Sequence, residues 1–267
     1  MNGILAVNHF LKGEKYDTLH KHLAASAKKC GINLNIKTNL ELATQKAQAD
    51  FVLFWDKDIN LARRIEKSGV PVFNSAEAIE KCDDKGRTYI VPQPKTLIAP
   101  KCYFKSDMSE FVEKAIDILT LPLIFKESFG SFGAQVFLCN TKEEIYSHIS
   151  EKPFILQKFI IDSKGHDKRI EIIGGKFICA AERENKNDFR SNVTNGGTMT
   201  PCKPTEKEIE TAIKACETLG LTFGGVDILD DGSVCEVNSN AHIINIMNST
   251  KIDIAPYIFE TIKEKIK

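Results

Sequence analysis

Little in the composition of this chain assigns it a partner. Its 36 basic and 36 acidic side chains cancel, so no bulk field draws it to nucleic acid or membrane, and any anion site must be local. No apolar run approaches the ~20 residues of a membrane-spanning helix. Residues 1–10 have neither a basic n-region nor a long apolar h-region, so a soluble, cytoplasmic protein is expected. The eight cysteines include no C-x-x-C pair, and several sit in apolar runs such as Phe177-Ile178-Cys179-Ala180. Buried free thiols in a reducing compartment fit that pattern better than a disulfide framework. No G-x-G-x-x-G follows the first apolar strand and no G-x-x-x-x-G-K-[ST] occurs, which removes the main support for Rossmann and P-loop sites. Internal repeats and low-complexity segments are absent too.

The 267 residues are enough for a sizeable core in one to three modules. Apolar runs at 3–7, 32–36, 50–55 and 70–73 alternate with helical patterns at 16–30 and 59–67, each followed by glycine. This alternation predicts βαβ units and a parallel sheet over residues 1–88. Asn74 with Glu77 reads as the N-cap of a helix running through Cys82 to Lys85, and Pro92 and Pro94 mark a boundary. A second unit, 89–160, holds strand patterns at 96–99, 121–126, 136–138 and 154–157, with helices capped by Asp107 and Thr141. The third, 161–267, opens on a polar loop over 162–167, followed by a hairpin over 168–181 that turns at Gly174-Gly175. A polar stretch over 182–199 follows, then a helix from the Thr205/Glu208 box to Gly220, and a terminal helix over 253–266. The fold class is α/β (α+β).

Chemistry concentrates in residues 224–238, G-G-V-D-I-L-D-D-G-S-V-C-E-V-N. Asp231-Gly232 suits a two-residue type I′ turn, which pairs Asp227 with Glu236 and Ile228 with Cys235. Asp227, Glu236 and Asn238 then share one face, while Cys235 joins Val226, Ile228 and Val237 on the other. Opposed carboxylates repel unless a hard dication such as Mg²⁺ lies between them. A solvated hairpin also fits D…E-x-N, and a three-residue loop would shift the register and separate the acids. Upstream, Lys126 leads into Ser128-Phe129-Gly130-Ser131-Phe132-Gly133, a loop that can fold over a polyphosphate or serve as an ordinary hairpin connection.

The order of these pieces resembles the ATP-grasp superfamily and, more narrowly, the RimK-type amino-acid (glutamate) ligases. Lys85, Lys126 before a glycine loop, Gln157-Lys158-Phe159, Asp167-Lys168-Arg169, D-F-R-S-N at 188–192, G-V-D-I-L at 225–229 and E-V-N at 236–238 carry the similarity, which is strongest over 122–255. It implies an N-terminal α/β domain and two lobes that clasp ATP. Lys85 and Lys126 would hold phosphates, with Gly130, Ser131 and Gly133 in the loop above them. The Gln157, Lys158 and Phe159 segment would meet adenine, and Asp167, Arg190, Ser191 and Asn192 would contact the nucleotide. Asp227, Glu236 and Asn238 would bind two Mg²⁺ ions (or Mn²⁺), with Arg169 and Arg190 holding the transferred phosphoryl group or a substrate carboxylate.

The implied partners are ATP, an amino acid and a carboxylate acceptor of peptide, protein or small-molecule type, and a homo-oligomer is what the resemblance implies for assembly. A D-alanine-ligase type of reaction and a regulatory nucleotide-binding protein are the alternatives. Two departures stand out: Lys158 occupies a position where these ligases have Glu, and Ser239-Asn240-Ala241-His242 replaces S-P-G. The second alters a loop expected to face the amine or the acceptor.

Of the remaining candidates, His20 and His22 lie two apart on a helix and cannot share a face. His166 and His242 fall beside site segments and read as satisfied surface residues, Trp55 as core or interface, and Cys235 as packing.

Overall fold

The computed structural model describes residues 1–101, 108–130 and 133–266. In the first unit β1 (Asn2–Val7), β2 (Asn33–Thr38), β3 (Phe51–Trp55) and β4 (Val72–Phe73) form a parallel sheet in the order β2-β1-β3-β4. Helices α1 (Glu14–Lys29), α2 (Asn39–Thr44), α3 (Ile59–Lys67) and α4 (Ala76–Asp83) connect and follow these strands. The apolar pattern does not signal α2, but its capping box does, since Thr38 and Glu41 satisfy each other's backbone N–H groups.

Asn74 does not cap α4. Ser75 does, accepting from the Ala78 N–H. The buried Asn74 amide instead donates to the Phe223 and Ser239 carbonyls (2.8 and 2.7 Å) and accepts from the Thr222 N–H (2.7 Å), tying the first unit to the third. Because α4 ends at Asp83, Lys85 lies in the turn after the helix and not on it.

The second sheet is antiparallel, with β5 (Thr96–Ile98), β6 (Leu123–Glu127), β7 (Val136–Cys139) and β8 (Phe154–Lys158) in the order β5-β8-β6-β7. Helices α5 (Ser109–Leu119) and α6 (Lys142–His148) complete a core of its own, in which Phe125 stacks on Phe154 at 4.7 Å. Thr141 caps α6, whereas α5 has no side-chain cap at Met108, and Asp107 lies outside the described residues.

In the third sheet β9 (His166–Ile173), β10 (Lys176–Glu184), β11 (Thr198–Pro201), β12 (Phe223–Ile228) and β13 (Val234–Asn238) run antiparallel in the order β11-β10-β9-β12-β13. Gly174 and Gly175 make the β9–β10 turn with φ of 57° and 73°, the left-handed pair that a type I′ turn requires. Helix α7 (Glu206–Leu219) covers one face. Helices α8 (Ile244–Thr250) and α9 (Ala255–Ile266) cover the other, where one apolar cluster joins them to α1, β1 and β3. The first and third units therefore share a core, with Trp55 stacked on Phe223 (5.6 Å, 10°) at the junction.

The acidic hairpin differs in detail from its expected form. The Gly232 N–H donates to the Leu229 carbonyl and Leu229 pairs with Ser233, so the loop has three residues, Asp230, Asp231 and Gly232. Only Gly232 has positive φ there (81°). That loop alone would shift the register. A bulge at Cys235 shifts it back, giving Ile228 with Val234 but Asp227 with Glu236. Val234 takes the core place expected for Cys235, and the Cys235 side chain borders a cleft instead.

Candidate active site

The second and third sheets face each other across a cleft of about 880 Å³. From the second, β6 projects Lys126 into it, and the β8 end supplies Gln157, Lys158 and Phe159. Lys126 is only 7% exposed and has no hydrogen-bond or ion-pair partner among the described residues. A buried ammonium without an acid is an anion site in waiting. Lys85 reaches the same space, 3.4 Å from the Gly130 carbonyl and 4.0 Å from Glu236 Oε1. Burial, opposed by Glu236, leaves its ammonium below the usual lysine range.

The loop after β6 is held from below. Arg190 Nη1 donates to the Gly133 carbonyl (2.7 Å), while its Nε and Nη2 grip Asp188. Gly130, Gly133 and Gln135 border the cleft; Ser131 lies outside the described residues. Gln157 is buried and donates to Thr96 Oγ1 (2.8 Å). The Lys158 N–H is already engaged by the Lys95 carbonyl (2.8 Å).

On the third sheet a chain of alternating charge crosses three strands. Arg183 on β10 grips Asp167 on β9 through two 2.6 Å bonds and reaches Asp227 on β12 at 2.8 Å. Arg169 on β9 takes Asp227 bidentately, and Ser191 donates to Asp167 Oδ2 at 2.5 Å. Asp227 is 2% exposed. Burial works against its charge, but Arg169 and Arg183 hold its carboxyl below the usual range. Among the described residues, Glu236 has one ion-pair partner, Lys85. Asn238 Nδ2 lies 3.5 Å from Asp227 Oδ2.

Arg183 is the residue that sequence reasoning did not place in the site. A regular β9–β10 register from the glycine turn would set Glu182 opposite Asp167. A bulge between Phe177 and Cys179 brings Arg183 there instead.

Beyond Arg183, Asn192 and Glu236 lies a second cavity of about 1570 Å³, bordered by all three. Its far wall comes from the first unit, through Asn8, Tyr16, Trp55 and Asp56. Its near wall includes Arg169, Asn238 and the 240–242 loop.

A family model, the RimK-like ATP-grasp domain, matches residues 80–262 of this chain. The chain belongs to the RimK-like ATP-grasp family. It is 33% identical over 214 residues to a probable alpha-L-glutamate ligase of Maridesulfovibrio salexigens, covering 76% of this chain and 71% of that one. Human beta-citrylglutamate synthase B is 32% identical over 250 residues, covering 85% and 63%. Among solved structures, D-alanine--D-alanine ligase from Bacillus anthracis complexed with ATP matches with a TM-score of 0.76, covering 100% and 97% at 16% identity, a likeness of fold. This RimK-like protein is an ATP-dependent ligase, and ATP with Mg²⁺ is what ATP-grasp ligases use.

The expected metal residues of this RimK-like chain lie together, but they do not make a closed cage. Among the described residues no group of three or more His, Cys, Asp or Glu is placed to hold an ion alone. Asp227, Glu236 and Asn238 offer hard oxygen donors; the first two border the cleft that Lys85 and Lys126 also line, and Asn238 borders the cavity beyond Glu236. That set fits Mg²⁺ held jointly by protein and a bound polyphosphate.

His166 borders the cleft between the second and third sheets with both ring nitrogens occupied, Nδ1 by Asp230 (2.9 Å) and Nε2 by Glu182 (2.5 Å). Burial pushes the Cys235 thiol up to about 11, so it is protonated and a poor nucleophile at neutral pH.

Proposed function

We propose that this ligase joins an amino acid, glutamate being the first choice, to a carboxylate acceptor through an acyl phosphate. The observation that carries the reading is the meeting of two cavities at Arg183, Asn192 and Glu236. A nucleotide in the first presents its γ-phosphate to a carboxylate in the second. Phosphoryl transfer needs positioning and charge neutralisation more than a protein nucleophile. Lys126 supplies fixed positive charge from the second sheet and Lys85 from the turn after α4, and Arg183 and Arg169 supply it from the third sheet. An amine then attacks the activated carbonyl and phosphate leaves. Two Mg²⁺ ions, replaceable by Mn²⁺, are assigned to Asp227, Glu236 and Asn238; when bound they neutralise the phosphate oxygens. The names of the two relatives favour glutamate as the amino acid.

The test is a screen of L-amino acids against carboxylate acceptors, read as ADP and phosphate release with mass spectrometry of the product. Release that requires both substrates supports the reading, and its absence across the screen overturns it. Glu236→Ala should abolish turnover and leave the circular dichroism spectrum unchanged. Near-normal ATP consumption by that variant would refute the metal assignment.

A further inference from the structure

Asp56 follows β3 directly, at the carboxyl end of the parallel sheet, where open α/β sheets place their ligands. It borders the second cavity and is 4% exposed. One carboxylate oxygen is fully used: Oδ1 accepts from Asn8 Nδ2 (2.9 Å) and from the Lys57 N–H (2.7 Å). The other, Oδ2, is buried with no partner at hydrogen-bond distance, although the Asn39 side-chain amide lies close enough to the carboxylate to favour its charged form. The adjacent lysine does not neutralise it, because Lys57 Nζ pairs with Asp83.

A second orphan acceptor borders the same cavity. His242 Nε2 lies 3.1 Å from the Lys15 carbonyl, which can only accept, so Nε2 carries the ring proton. Its Nδ1 is then an acceptor, buried and also without a partner. Burial holds this ring below the usual histidine range and therefore neutral, and burial likewise pushes the Asp56 carboxyl up.

We infer that Asp56, assisted by His242 Nδ1, binds the ammonium group of the amino-acid substrate in the second cavity. Two acceptors left open by the fold on one cavity require a ligand that donates, and a buried carboxylate favours one that is also cationic. The guanidiniums of Arg169 and Arg183 border the same cavity and suit the opposite pole of a zwitterion. Asn8 acts as a positioning residue by fixing Oδ1, and Asp56 sets specificity. This inference rests on the ligase reading for the ligand class, while the orphaned atoms stand apart from it.

The experiment is calorimetric titration of the full chain, loaded with Mg²⁺ and a non-hydrolysable ATP analogue. The probes are L-glutamate, L-alanine, ethylamine and, as the amine-free counterpart of glutamate, glutarate. Wild type should bind the amine-bearing probes in preference to glutarate. Asp56→Asn should weaken them by about tenfold or more, the usual cost of losing a hydrogen bond to a charged group, with unchanged affinity for the nucleotide analogue.

If no amine probe binds wild type, or if Asp56→Asn binds them as well as wild type, the inference falls. Should Asp56→Asn lose nucleotide binding as well, His242→Ala decides: weaker amine binding supports the site and unchanged binding overturns it. ADP release measured in parallel separates the two claims. Asp56-dependent amine binding without ADP release from any amino acid and acceptor sinks the ligase reading and keeps the site. ADP release with Asp56-independent amine binding does the reverse.

Discussion

Lys126 is held in the cleft against its own solvation preference, buried and without an acid beside it. Such a residue trades stability for function. Lys126→Met should raise the stability of the ligand-free protein by about 1 kcal/mol while lowering ATP affinity. Thermal melts with and without ATP check both halves, and a variant that melts lower without ligand would contradict this account. His166 gives a pH signature. Burial lowers its pKa, but hydrogen bonds that the ring donates to Asp230 and Glu182 outweigh that and the net shift is upward. A raised pKa means that the protonated ring stabilises the fold fully below the unfolded value, about 6.5, and that this contribution fades as pH rises through the folded value. His166→Phe should therefore cost more stability at pH 6 than at pH 9 in urea titrations. An equal cost at both would remove the ion pairs from the account.

Two bulges and one glycine position the site elements. The bulge near Phe177 turns Arg183 towards Asp167, and the one at Cys235 offsets the three-residue loop so that Asp227 still opposes Glu236. Each changes which face a side chain takes, because the face alternates with every residue along a strand. Gly165 is as strict. Its φ is +70°, its N–H donates to the Phe189 carbonyl, and a Cβ there would overlap the Asn185 carbonyl oxygen and lie 2.7 Å from that of Asp188. The segment it meets carries Arg190 and Ser191. Gly165→Ala should cost about 1–3 kcal/mol and depress turnover by displacing that segment. A variant with normal stability and normal turnover would show that the loop position is not set by this contact.

At the scale of the molecule, the first and third units form one packed body and the middle sheet has a core of its own. Trp55 stacked on Phe223 is the aromatic contact across that shared core. Trp55→Ala should destabilise the whole chain by about 3–5 kcal/mol, with a single cooperative transition shifted to lower denaturant. Separate melting of the first unit would mean that the shared core is weaker than its packing implies. The two-cavity arrangement depends on this body, because Asp56 and Trp55 from one unit and Arg169 and Asn238 from the other line the same space.

Local signals were enough for much of this protein. The 3.6- and 2-residue periods, the Thr141 and Thr205 caps and the Gly174-Gly175 turn act within a few residues, so the alternation of elements was legible and the motif order named the family. Most expected site residues do border the cleft, from Lys126 to Glu236. The partners that span the fold were not legible. Asn74 looked like a cap because its contacts lie some 150 positions away in sequence and carry no local mark. Arg183 enters the site and Cys235 leaves the core because a bulge is a choice of register made by two packed strands together. Asp56 has open chemistry only because folding buries one of its oxygens without a partner at hydrogen-bond distance. Periodicity and capping are written in adjacent residues, whereas burial and cross-strand register exist only after distant segments have met.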